Sequence, residues 1–199
     1  MNTNEFDYYV IDRKGDKAYP LVGPHEDSEH TLLYIGDNFS EFREKSIPNP
    51  KPVEFVFCDP IPRKPVIGDY FSDPESIISK KIADEMKPMN IKGIQLIPAT
   101  IESNKGNVYK DFFWIYIHHY IEAMDKDKTN FELSKYGLYR FDSFTLDEKV
   151  LTEIPLEERL IFKLKEKSSI KLYHYSVVDI IMATNPEGVM FTKVEDWRL

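Results

Sequence analysis

Apolar positions along this chain recur mostly in twos. Phe6-Asp7-Tyr8-Tyr9-Val10-Ile11 predicts a strand, Arg13-Lys14-Gly15-Asp16 a turn, and Ala18 to Val22 the returning strand of a hairpin. Gly23 to Glu29 is polar and predicts a loop. Thr31 to Ile35 predicts another extended segment, ending at Gly36-Asp37-Asn38. The strongest strand signal runs from Phe112 to Ile121. Phe113, Ile115, Ile117, His119 and Ile121 alternate with Phe112, Trp114, Tyr116, His118 and Tyr120. Both faces are apolar or aromatic, which predicts a central strand covered on both sides. After the polar turn Asp125 to Asn130, Gly137–Phe141, Ser143–Leu146 and Leu160–Leu164 also read as extended.

Two segments break this rhythm in the same order. Ile77-Ile78 leads to Ser79, a predicted cap for a helix through Ile82, Ala83 and Met86 that ends before Pro88. Gly93 then precedes the strand Ile94–Ile97. Near the C-terminus, Ile170–Tyr175 is extended and Ser176 is the predicted cap. Val177, Val178, Ile180 and Ile181 form a short helix with Asp179 at its third position, favourable for the helix dipole. Asn185-Pro186 stops it, and Gly188 precedes the strand Val189–Thr192. The expectation is a twice-repeated unit of extended segment, Ser, helix, Gly and strand. Strands predominate and helices are short, so the predicted class is α+β with a mainly antiparallel sheet.

Six prolines between Pro48 and Pro65 flank the strand candidate Val53–Phe57. Proline lacks a donor and fixes φ, so this region is expected to be surface edge or connector. The expected organisation is one domain over residues 1–199, with Pro48–Pro65 separating an N-terminal subdomain 1–65 from a C-terminal subdomain 66–199.

Composition sharpens this picture by exclusion. The 199 residues carry 34 Asp+Glu against 26 Lys+Arg, a net charge of −8. That argues against a dedicated nucleic-acid binder, and against an anionic membrane surface. The one cysteine, Cys58, permits no internal disulfide and fits a reducing compartment. No apolar segment follows the polar opening Met1–Glu5, so no secretory signal is expected and a cytoplasmic location is the default.

Candidate chemistry is sparse. His118, His119, Glu122 and Asp125 are the best metal candidates, yet neighbouring strand residues point to opposite faces. His25, Glu26 and His30 form a weaker set in a polar loop. No phosphate loop, GxSxG, HExxH or CxxC occurs, and no cofactor is expected. Charge is more informative. Asp142, Asp147, Glu148, Glu153, Glu157 and Glu158 are offset within Asp142–Arg159 only by Lys149 and Arg159. This stretch is a solvated connector or an acidic surface for a basic partner, and its six carboxylates are the candidate partner-binding residues.

One ordered set of features carries a resemblance across nearly the whole chain. It comprises Tyr8-Tyr9-Val10, Gly68-Asp69-Tyr70-Phe71, Ile77-Ile78-Ser79, the aromatic strand running into Ile121-Glu122-Ala123-Met124-Asp125, Ile161-Phe162-Lys163-Leu164, and the Ser176 helix with Gly188-Val189-Met190-Phe191. In this order they resemble a family of bacterial immunity proteins of polymorphic toxin systems, the family numbered eleven. The resemblance implies a non-enzymatic cytoplasmic protein that binds a cognate toxin domain and blocks it by stoichiometric occlusion. The alternatives are a metal-dependent enzyme using the His118/His119/Glu122/Asp125 region, and a binding module unrelated to toxins.

Overall fold

Tyr8 and Val10 face one hydrophobic cluster while Ile11 faces another, the two-sided burial expected of an inner strand. A computed structural model describes residues 5–25, 44–72 and 76–199. The strands in chain order are β1 (Tyr8–Arg13), β2 (Leu21–Pro24), β3 (Val53–Cys58), β4 (Tyr70–Phe71) and β5 (Ile77–Ser79). Helix α1 (Lys80–Met86) follows, then β6 (Ile94–Glu102), β7 (Val108–Ile117), β8 (Tyr120–Ile121), β9 (Glu132–Leu133) and β10 (Tyr139–Arg140). Helix α2 (Glu148–Glu153), β11 (Ile161–Leu164), β12 (Lys171–His174), helix α3 (Tyr175–Ala183) and β13 (Val189–Lys193) complete the order. The class is α+β, as expected.

Among the described residues the strands form a five-stranded sheet, β13-β1-β12-β11-β8, and a six-stranded sheet, β2-β3-β6-β7-β5-β4. A separate hairpin pairs β9 with β10. Pairing is antiparallel except for β11 with β8 and β3 with β6. Both strand–helix–strand segments straddle an intervening strand. β5 and β6 lie antiparallel to β7 on its two sides, joined through α1. β12 and β13 do the same around β1, joined through α3. The helices meet in one cluster, where Ile82, Ala83 and Met86 join Val177, Val178 and Ile181. Ile11 and Tyr173 of one sheet and Ile78 and Ile115 of the other belong to the same cluster. A second cluster covers the far face of the larger sheet with Phe55, Ile97, Phe112 and Trp114. A third covers the far face of the smaller sheet with Val10, Phe162, Leu164 and Leu172, closed by Phe144, Leu151 and Trp197.

Several expectations need correction. β1 and β2 do not form a hairpin. β1 pairs with β12 and β13, β2 pairs with β3, and Lys14 N donates to Gly188 O at 2.8 Å. The expected strand Phe112–Ile121 breaks at His118-His119, where the chain passes from the larger sheet to the smaller. His118 N is held by Gly93 O, and His119 O accepts from Lys163 N, each at 2.9 Å. β3 is an inner strand between β2 and β6 rather than an edge, because the prolines flank it without interrupting it. Ser143–Leu146 forms no strand beyond the bridge Leu146–Met124. Gly23 and Pro24 belong to β2, whereas Glu26–Glu29 and the Thr31–Ile35 segment lie outside the described residues.

The helix caps also differ from expectation. Ser79 caps α1 by position, but its side chain makes no capping hydrogen bond. The cap of α3 is His174, whose ring accepts from Ser176 N. Ser176 therefore stands in the first turn, and Asp179 lies beyond the third position. Gly93 and Gly188 take positive φ, +77° and +74°, in the turns that enter β6 and β13, while the left-handed residues directly after the helical segments are Asn90 and Asn185.

Candidate partner-binding surface

The six carboxylates between Asp142 and Glu158 have different duties. Asp147 caps α2, its Oδ1 accepting from Lys149 N at 2.9 Å and Val150 N at 3.3 Å. A carboxylate suits this place, since it satisfies orphan N–H groups at the positive end of the helix. Glu158 pairs with Lys92 at 2.9 Å, and that lysine holds its carboxyl below the usual range. Asp142 accepts Leu199 N on its backbone oxygen. Glu148, Glu153 and Glu157 are exposed.

Arg159 does not neutralise this surface. It is only 1% exposed and turns inward. Its Nε donates to Ile154 O at 2.9 Å, its Nη1 to Tyr8 Oη at 2.8 Å, and its Nη2 to Glu5 Oε1 at 3.0 Å. The Tyr8 hydroxyl in turn donates to Arg159 O at 3.1 Å. Within the stretch the six acids are therefore offset at the surface by Lys149, with Glu158 paired to Lys92 from outside it and Asp147 engaged as a cap.

The metal candidates resolve differently. His118 and His119 sit at the joint between the sheets, and burial lowers the pKa of both rings. Glu122 pairs with Lys126 at 2.6 Å and Asp125 with Lys128 at 2.9 Å. Among the described residues no three His, Cys, Asp or Glu side chains are placed to hold a metal ion. Instead Glu122, Asp125 and Asp127 share an open cleft of about 410 Å³ with Asp147. The acids of the metal candidate thus meet the acidic stretch. The junction is built by backbone pairing, with Asp125 N donating to Thr145 O and Asp147 N to Ala123 O, both at 2.8 Å. His25 lies at the end of β2, and Glu26 and His30 are outside the described residues. Cys58 is half-buried, and burial pushes its thiol up.

Sequence reasoning read Gly137–Phe141, which holds β10, as extended but missed its partner β9 and hence the hairpin beside this cleft. Its base is fixed by Phe131 and Tyr139, whose rings stand 5.2 Å apart and pack on the same cluster as Leu151. Lys126, paired with Glu122, lies 5.6 Å over the Tyr139 ring and links hairpin to cleft. Its turn is fixed by Ser134, whose Oγ accepts from Tyr136 N at 3.3 Å and Leu138 N at 3.0 Å. Gly137 supplies the φ of +75°. Leu133, Tyr136 and Leu138 project from it, 57%, 76% and 66% exposed. The signal was present as Ser134-x-x-Gly137, the turn pattern that also joins β6 to β7 at Ser103-x-x-Gly106.

No helix among the described residues is long and apolar enough to cross a membrane. Among curated proteins no relative matches the chain. The model of the immunity protein family Imm11 does match, over residues 7–196, which takes in everything from β1 through β13; the chain belongs to that family.

Proposed function

We propose that this protein is a cytoplasmic immunity protein of a polymorphic toxin system, which binds a cognate toxin domain and neutralises it by stoichiometric occlusion. The observation that carries this reading is the family match over residues 7–196. The surface supports it. The acidic stretch and the cleft holding Glu122, Asp125, Asp127 and Asp147 suit a basic partner, raising the rate of encounter and rejecting acidic ones. Glu122 and Asp125 are tied to lysines, which favours a binding role for this region over acid–base work.

The test is co-expression with the C-terminal domain of the protein encoded immediately upstream. Cells producing that domain survive only when this chain is present, and the two purified proteins elute as a one-to-one complex. Survival unchanged by this chain, with no association between the purified proteins, overturns the reading.

A further inference from the structure

The turn Ser134–Leu138 has an internal counterpart that isolates what is unusual about it. At Ser103–Asn107 the same bonds recur. Ser103 N donates to Asn107 O, Gly106 N donates to Ser103 O, and Ser103 Oγ accepts from Lys105 N and Asn107 N. Gly106 has φ +77°, as Gly137 has +75°. In the first turn the exposed positions are Asn104, Lys105, Gly106 and Asn107. In the second, Tyr136 and Leu138 occupy the places of Lys105 and Asn107. Turn geometry is therefore satisfied by polar residues and does not call for the tyrosine and leucine. Core packing does not call for them either. Phe131 and Tyr139 pack against the core, while Leu133, Tyr136 and Leu138 belong to none of the three clusters.

We infer that this hairpin tip is the anchor by which the protein seats on its toxin. The occupant is a toxin domain with an apolar pocket rimmed by Lys and Arg. This inference rests on the immunity reading above and adds the contact surface. Three observations support it. Apolar side chains concentrated on one rigid projection mark a contact site, whereas scattered ones do not. The tip is pre-organised by its turn bonds, so little ordering cost remains on binding, and Tyr is a favoured anchor. The adjoining cleft and the α2 stretch are acidic, which selects a basic rim around the pocket.

The test compares wild type, Leu133→Ser/Tyr136→Ser/Leu138→Ser, the single variant Tyr136→Ser, and the control Lys105→Ser in the polar turn. Each is titrated against the upstream-encoded C-terminal domain, with thermal unfolding recorded alongside. The triple variant keeps the wild-type unfolding temperature and binds about thirtyfold or more weakly, the size of an interface hot spot. Its loss lies in faster dissociation, and Lys105→Ser binds as wild type. If the triple variant unfolds early, Tyr136→Ser at this exposed position decides the matter by the same loss. Wild-type affinity in the tip variants, with wild type still binding, overturns the anchor and leaves the immunity function standing. No binding by wild type overturns both. Concentration-dependent self-association of wild type that the tip variants abolish, with toxin binding intact, assigns the tip to a second copy of this chain and overturns the anchor.

Discussion

Arg159 Nη2 lies 3.0 Å from Glu5 Oε1, joining residues 154 positions apart. The two partners are unequal, for the arginine is buried and half of the glutamate side chain is in water. The ion pair itself is therefore a minor contribution, and the arginine's bonds to Ile154 O, Glu5 O and Tyr8 Oη matter more.

Arg159→Ala should destabilise the fold by about 2–4 kcal/mol, because it leaves buried acceptors unpaired and opens a cavity beneath Phe6. Glu5→Gln should cost less than about 1 kcal/mol. Urea unfolding of both variants checks this, and equal losses would mean that the ion pair dominates.

Gly93 should tolerate no side chain. A Cβ there would fall 2.3 Å from His119 Cβ, and φ is +77°. Gly93→Ala is expected to cost roughly 2–5 kcal/mol from left-handed strain and overpacking together. Gly106→Ala meets open space at the same φ and should cost only about 1–2 kcal/mol. Thermal unfolding of the pair separates contact from conformation.

Stability should fall with pH below the histidine range. Burial, aided by the Arg159 charge, pushes His174 down, against the opposing pull of Glu5 and Asp7. The fold favours the neutral ring, whose Nδ1 accepts from Ser176 N. Its contribution is thus full above the unfolded value of about 6.5 and is lost as pH falls through the lower folded value. His118 and His119 act in the same direction. Glu166, raised by burial, acts oppositely, favouring the folded state as pH falls. His174→Asn keeps a capping side chain without the titration, so its stability between pH 7.5 and 5 should change less steeply than that of wild type. Parallel slopes would remove His174 from the account.

Charge and cap can be separated within the acidic stretch. Reversing Glu148, Glu153 and Glu157 to Lys should slow association with the toxin domain by about tenfold or more at low salt, at a stability cost of about 1 kcal/mol or less from the charge placed in the first turn of α2. Asp147→Ala should instead cost about 1 kcal/mol of stability through the lost cap. Stopped-flow mixing at two ionic strengths checks the first; an unchanged rate would exclude steering by these residues.

What the sequence disclosed was local. The alternation at Phe112–Ile117 marks a strand buried on both faces, and Ser79 and Gly93 bracket a helix and its exit. What stayed hidden depends on distant partners. The pattern runs unbroken through His118-His119, yet the chain changes sheets there because Gly93 O and Lys163 N claim its backbone. The hairpin expected at Gly15 fails because β12 and β13 compete for β1. His174 was missed as a cap for a local reason, because Ser, Thr, Asp and Asn are the usual capping residues, and Ser176 two positions on drew the assignment. The acidic stretch was legible as composition. That Arg159 turns inward, and that Glu122 and Asp125 share a cleft with Asp147, required the fold.

The placement of β1 sets an order of events during synthesis. Tyr8–Arg13 leaves the ribosome well before its two neighbours, Lys171–His174 and Val189–Lys193. The smaller sheet can therefore close only after residue 193 has emerged, a late step built on contacts of long sequence separation. The larger sheet is made wholly of residues before Tyr120 and is free to assemble first. A ribosome halted after β12 but before β13 would release a chain with one edge of its first strand unpaired, and one halted before β12 a chain with both edges unpaired.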